Sequence, residues 1–326
     1  MSLPYTLRLL CLCSAAFFVI HLALAVATRL AAGTALRMAE RMKPSSAARL
    51  LFLLRISPMA LTLFAVLAFC IPSYLWLEPE ATGEQVGFLC FLTAALGAAI
   101  WALSISRVVS AVNGTVRYLH HCERHGRKIT LPGEPSPALL LADKAPVLAV
   151  AGVVSPRLVI SRTVMRGLST DQREAAVRHE RAHCTSRDNV KRFLILLSPD
   201  VLPFLRSFTR LEHNWAKFTE WAADDQASAG DPRRALSLAS ALVRVAKMGT
   251  RPHLSFLFSS FCSDDQELSE RVERLLRPQP NPGKPALVLI PLLTSAGALI
   301  AAAVTLVLIW PGSLALVHQA LEELVH

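Results

Sequence analysis

Residues 177 to 184 read VRHERAHC, and inside that run His179, Glu180, Arg181, Ala182 and His183 form the pattern H-E-x-x-H. Four residues make about one helical turn, so on a helix the two imidazoles stack on one face. Both can then reach a single Zn2+, with Glu180 beside the metal's remaining coordination position. A five-residue motif also arises by chance, so the elements around it and a third ligand must decide. Downstream, Glu220, Trp221, Ala222, Ala223 and Asp224 place two carboxylates one turn apart. A catalytic zinc takes three protein ligands and one exchangeable water, and two histidines with a glutamate are one of its usual sets. Glu220 is therefore the expected third ligand. Asp224 is expected to accept a hydrogen bond from the far nitrogen of a ligand histidine, which fixes its tautomer. Asp225 falls elsewhere on the helix and is expected to be solvated. The competing reading is a charged helix face with no metal.

A centre of this kind is expected to activate water for hydrolysis. Zinc lowers the pKa of its bound water to about 7 and polarises the scissile carbonyl. Glu180, not itself a ligand, takes the water's proton and later delivers it to the leaving amine.

Several elements must position these groups. Ser169 and Gln172 have capping-box spacing, which predicts a helix running through the motif to about Ser198, where Pro199 interrupts it. Further helices are expected over 211–229, 234–248 and 267–277. Residues 147–154 and 158–161 are apolar and β-branched around Ser155, Pro156 and Arg157. They read as two strands, with Gly152 as a bulge, and carry the only clear strand signal. Val147, Leu148, Ala149, Val150 and Ala151 are expected to bind substrate as an edge strand through its backbone.

The chain of 326 residues is 53% hydrophobic with a formal net charge of +10, more apolar than is usual for a soluble protein. Residues 9–28, 56–77, 86–106 and 285–310 lack Asp, Glu, Lys and Arg. Each has the roughly 20 residues that cross a bilayer as a helix. The fold class expected is thus a mainly α-helical polytopic membrane protein: four transmembrane helices, with a cytoplasmic α+β zincin-like domain between the third and fourth. Ala25, Val26 and Ala27 resemble a signal-peptide cleavage site. The next segment carries Arg29, Arg37, Arg41, Lys43 and Arg49 against Glu40 alone, and a basic loop of that kind belongs in the cytoplasm. Glu78, Glu80 and Glu84 make the next loop external, and Arg107, Arg117, Arg124, Arg127 and Lys128 return the chain inside. The positive charge therefore reports topology and calls for no nucleic-acid partner. The resulting division is 1–112 for three spans, 113–284 for the cytoplasmic domain, and 285–326 for the fourth span and a short tail. The partners are the lipid bilayer of the inner (plasma) membrane and a protein substrate, with both termini external. Residues 193–205 are apolar but short and interrupted by Pro199, Asp200 and Pro203; they suit a helix pair under the domain or against the membrane face. Among the 7 cysteines no zinc-ribbon or disulfide spacing occurs, so they read as reduced, buried small hydrophobes.

H-E-x-x-H followed by E-x-x-x-D, with Gly152, Pro156, Leu158-Val159-Ile160, Leu168-Ser169 and Asp188 around them, resembles the membrane zinc peptidases of the BlaR/MecR type. The order of three spans, zinc domain and fourth span is similar to that family too. The resemblance implies a gluzincin fold, bound zinc and cleavage of a cytosolic repressor in signal transduction. It also favours Asp188 as a buttress of the site, and residues 271–275 as part of a later helix packed against it. Two features depart from the pattern. Past Trp310 the sequence has about 16 residues where those sensors carry a penicillin-binding domain, so direct β-lactam sensing is not expected. Ala223 stands where they often have cysteine, as in the sister HtpX and CAAX-prenyl endopeptidases, which makes membrane-protein quality control the alternative function. A non-catalytic membrane scaffold is the alternative from another class, and the intact Glu180 argues against it.

Overall fold

The computed structural model describes residues 4–77, 87–131, 137–142, 145–201, 207–248, 258–260, 265–277, 316–317 and 319–320. The chain begins with α1 (Tyr5–Ala39) and α2 (Pro44–Ala65), which continues through a π-helical turn (Val66–Cys70) into α3 (Ile71–Leu77); α4 follows (Phe88–His125). These make three helical stretches, of 35, 34 and 38 residues, long and apolar enough to cross a membrane. The run expected as a fourth span, 285–310, lies outside the described residues. About 20 residues cross the hydrocarbon layer, so α1, α2 to α3, and α4 all extend well beyond one crossing. The far end of α4 carries the sheet: Tyr118, Leu119 and Cys122 pack against Leu139, Leu141, Val147, Ala151 and Val159.

Those residues belong to a five-stranded sheet formed by β1 (Arg127–Ile129), β2 (Ala138–Leu141), β3 (Leu148–Ala151), β4 (Arg157–Ser161) and β5 (Phe258–Ser260). The strand order is β1-β2-β4-β3-β5. β2 and β4 run parallel and the other neighbours antiparallel. Two expectations are corrected here. The sheet has three strands beyond the expected pair, each of three or four residues, too short for alternation to register in sequence. And β3 is not an edge strand, because β5 pairs with Ala149, Val150 and Ala151 on its open side. Substrate cannot add at Val147 to Ala151 while β5 holds that position.

After β4 come α5 (Arg162–Gly167), α6 (Thr170–Ser186), α7 (Asp188–Leu197), α8 (Ser207–Ser228), α9 (Pro232–Ala246) and, beyond β5, α10 (Asp265–Leu276). Ser169 caps α6 with the full capping box: its Oγ accepts from the Gln172 N–H at 3.3 Å, and the Gln172 side chain accepts from the Ser169 N–H at 3.0 Å. The predicted continuous helix to Ser198 is broken. Arg187 takes left-handed dihedrals, φ 54° and ψ 42°, and α7 starts afresh at Asp188.

Two cores hold the arrangement. α6, α9 and α10 close on the sheet through Leu148, Ile160, Ala176, Leu238, Leu242 and Leu275. The second core joins the membrane helices to α8: Ala32 and Ala39 of α1 and Ala47 and Leu51 of α2 meet Leu211, Trp215 and Phe218. Arg55 of α2, buried among them, donates to Glu212 Oε1 and to Ser198 Oγ, both at 2.7 Å, and lies over the Phe208 ring. His21 of α1 bonds through Nε2 to the Pro199 carbonyl at 3.1 Å. The turn after α7 is therefore held by α1 and α2; of the apolar stretch 193–205, residues 202–205 lie outside the described residues.

Candidate metal centre

α6 and α8 face each other across the site. His179 and His183, one turn apart on α6, bring their Nε2 atoms to 3.1 Å of each other. Glu220 of α8 places Oε2 at 3.3 Å from His179 Nε2 and Oε1 at 3.5 Å from His183 Nε2. All three side chains are buried, and one ligand atom from each lies within 4.8 Å of the others. Two ligands about 2.0–2.1 Å from a tetrahedral metal are separated by about 3.3 Å, which is the spacing these atoms already have. Two facing imidazole nitrogens at this distance need a proton or a cation between them, since both lone pairs cannot point at one another. The group can hold a metal ion.

The outer nitrogens are also engaged. His179 Nδ1 lies 3.0 Å from Asp224 Oδ1, and His183 Nδ1 lies 2.9 Å from Asp188 Oδ2. Each carboxylate favours the tautomer that carries its proton on Nδ1 and leaves Nε2 free to bind. The break at Arg187 makes the second contact possible. On an unbroken helix Asp188, five residues past His183, would sit about 140° round the axis from it. Asn189, next along, donates through Nδ2 to the carbonyls of Val150 and Gly152 at 3.2 and 2.9 Å, fixing α7 to the end of β3. Gly152 has φ 103°, a conformation that a side chain at this turn would resist.

Arg271 of α10 completes the cluster. Its Nε and Nη2 donate to the two oxygens of Asp224 at 2.9 and 2.7 Å, and its Nη1 lies 3.1 Å from Glu220 Oε2. Arg274, one turn nearer the chain end, bonds Asp225 Oδ2 at 2.8 Å. Asp225, partly exposed as expected, thus also serves as an anchor for α10. The sequence pointed to this helix through the resemblance, but no spacing rule singled out Arg271 as the residue at the ligands. Asn189 and the left-handed Arg187 had no signal at all.

Glu180 is fully buried, and neither carboxylate oxygen has a hydrogen-bond partner. Burial pushes its pKa up to about 7, against the opposing pull of His179 and His183. The groups around it show the opposite behaviour. Burial disfavours a charged His183, yet the Glu220 charge and the Asp188 hydrogen bond prevail and push it up to about 10. His179 is likewise raised: burial opposes its charge, and the hydrogen bonds to Asp224 and Glu220 overcome that. Burial would raise Glu220 and Asp224, but for Glu220 the charges of His183 and Arg271 hold it well below the usual carboxylate range. Asp224 is held at about 2, with Arg271 the main opposing charge. The buried carboxylates thus favour positive charge on the two histidines, a balance that a bound cation would also satisfy.

The structure brings His179, Glu180, His183, Asp188, Glu220 and Asp224 together in one buried group. Val147 to Ala151 stand apart from it as a paired inner strand, Leu148 packing against Ala175 and Ala176 on the core side of α6. No known family's sequence profile matches the chain, and no curated protein sequence matches it.

Proposed function

We propose that this chain is an integral-membrane zinc endopeptidase that cuts a protein substrate at the cytoplasmic face, of the kind its motifs resemble in the BlaR/MecR-type peptidases. One observation carries the reading: a fully buried glutamate with two unbonded oxygens sits beside three preassembled ligands. Burying an unpartnered carboxylate costs several kcal/mol, and a structural metal site has no use for it. A general base does. His179, His183 and Glu220 would hold the zinc, which when bound would supply an acidified water and a Lewis acid for the scissile carbonyl. Glu180, with its pKa near 7, suits accepting a proton and returning it to the leaving amine. Asp188 and Asp224 keep the histidines oriented, and Arg271 holds Asp224 and Glu220 in place. The charge pattern of the loops supports a cytoplasmic domain with the N-terminus outside, and hence a multi-pass protein of the plasma membrane.

The test is Glu180→Gln. Membranes carrying wild type or variant are compared by metal analysis of the purified chain and by labelling of new protein N-termini. Zinc near one equivalent in both, with N-termini generated by wild type alone, is the expected result. Identical N-termini in the two samples, or no bound zinc in either, overturns the reading.

A further inference from the structure

Outside the metal centre, the helices long enough to cross a membrane bring several free cysteines together. α1 and α4 run side by side in the same direction, in a register fixed by a ladder of close contacts. Ser14 Oγ donates to the Ala94 carbonyl at 3.0 Å. A Cβ on Gly97 would come within 2.5 Å of the Ser14 carbonyl oxygen, so only glycine admits this approach. Deeper along the pair, the rings of Phe17 and Trp101 meet at a tilt, with centroids 5.3 Å apart. One step toward the helix starts, the same register sets Cys11 against the cluster that holds Cys90 together with Leu12, Ala15 and Tyr74. Both thiols are reduced, Cys90 fully buried and Cys11 partly exposed.

The exposed side of Cys11 opens on a cavity of about 620 Å³, lined also by Cys13, Ser14, Phe17, Phe91 and Trp101. That volume is in the range of small-molecule sites. Among the described residues its lining has no ionisable group besides the thiols of Cys11 and Cys13. Lying between apolar helices, the cavity suits a ligand that partitions into lipid and carries a flat ring for the aromatic side chains.

We propose that Cys11 and Cys90 are a redox-active dithiol, oxidised to a disulfide by a membrane-soluble quinone that enters this cavity. The S–H bonds of both residues break and one S–S bond forms. The two electrons and two protons pass to the quinone carbonyls, giving the quinol. Cys11, which faces the cavity, meets the oxidant, and Cys90, shielded behind it, closes the bond. The product ties α1 to α4 near their first turns, where the two helices are already in contact. This chemistry makes no use of the metal centre, and its readout does not depend on proteolysis.

The experiment uses the full chain in lipid nanodiscs, reduced and freed of reductant, with decylubiquinone as the probe. Its fully substituted ring leaves no position for a thiol simply to add. Thiols are counted by gel shift with a maleimide polymer in denaturant, and quinol by absorbance. Wild type is expected to lose 2 of its 7 thiols and to yield one quinol per chain. Cys11→Ser, Cys90→Ser and Cys90→Ala are each expected to yield none, and Cys122→Ser to behave as wild type. Ala98→Phe, which fills the cavity from its wall, is expected to slow the reaction. The proposal is overturned if quinone leaves every thiol titratable, or if Cys90→Ala loses two thiols as wild type does. It is equally overturned if oxidised glutathione, confined to water, acts as fast as the quinone.

Discussion

Asp188 offers the sharpest test of how the metal centre is built, because its only link to the ligands is one contact with His183. The carboxylate is 2% exposed and is bonded at 2.9 Å to His183 Nδ1 and at 2.8 Å to Lys191 Nζ. Removing such an outer partner weakens metal binding by about 10- to 100-fold, which corresponds to roughly 1.4–2.7 kcal/mol. Asp188→Ala, which frees the imidazole to rotate and to change tautomer, is expected near the upper limit. Asp188→Asn keeps an acceptor of the same shape without the charge and is expected near the lower one. Lys191→Met removes the other contact of the same carboxylate from a partly exposed side chain and is expected to change affinity little. The assay is competition for zinc with a chromogenic chelator at fixed pH on the full chain in detergent, with Glu220→Ala as the control that abolishes binding. If Asp188→Ala binds zinc within about twofold of wild type while Glu220→Ala does not bind, orientation of His183 by Asp188 is wrong.

Three further outcomes follow from the same contacts. Asn189→Ala strips donors from the carbonyls of Val150 and Gly152 and is expected to lower the stability of the soluble part by about 1–3 kcal/mol, read from tryptophan fluorescence during thermal unfolding. Arg271→Met leaves Asp224 and Glu220 buried without their cation, a change worth about 3–5 kcal/mol; the loss should be larger without zinc than with it, and Arg271→Lys should recover the charge but not the two-pronged bond to Asp224. Gly97→Val drives a side chain into the Ser14 backbone and should lower the melting temperature of the helical bundle, whereas Gly33→Ala, with nothing within 4 Å, should not.

What could be read in the sequence was what depends on local spacing. His179 to His183 and Glu220 to Asp224 are each separated by one helical turn, so a pair of residues four apart announces its shared face wherever a helix forms. The cap at Ser169 and the apolar runs of α1, α2 and α4 are local in the same sense. What escaped depends on the tertiary fold. Arginine has no special tolerance for left-handed dihedrals, so nothing at Arg187 marks the break that swings Asp188 under His183. Arg271 stands 51 positions beyond Glu220, and only the fold brings them together. β1 and β5 have three residues each, and a strand of that length is defined by its neighbours rather than by its own pattern. Val147 to Ala151 looked like an open edge because the strand that covers it could not be seen.

The same distinction explains why α8 is central to the proposed chemistry. Leu211, Trp215 and Phe218 pack into the core shared with α1 and α2, while Glu220 and Asp224 meet the histidines of α6. Nine residues separate Leu211 from Glu220, about 900° of rotation, so the two point to opposite sides of one helix. Its start is also tied to the membrane helices by the bond from Arg55 to Glu212. The histidines have a different foundation, since α6 rests on the sheet and α9 through Ala175, Ala176 and their neighbours. Two ligands are therefore set by the soluble core and the third by packing against the apolar helices. A metal held at about 2 Å by both sides tolerates little relative displacement, so the integrity of the membrane bundle is a condition for the metal centre and not merely a means of anchoring it.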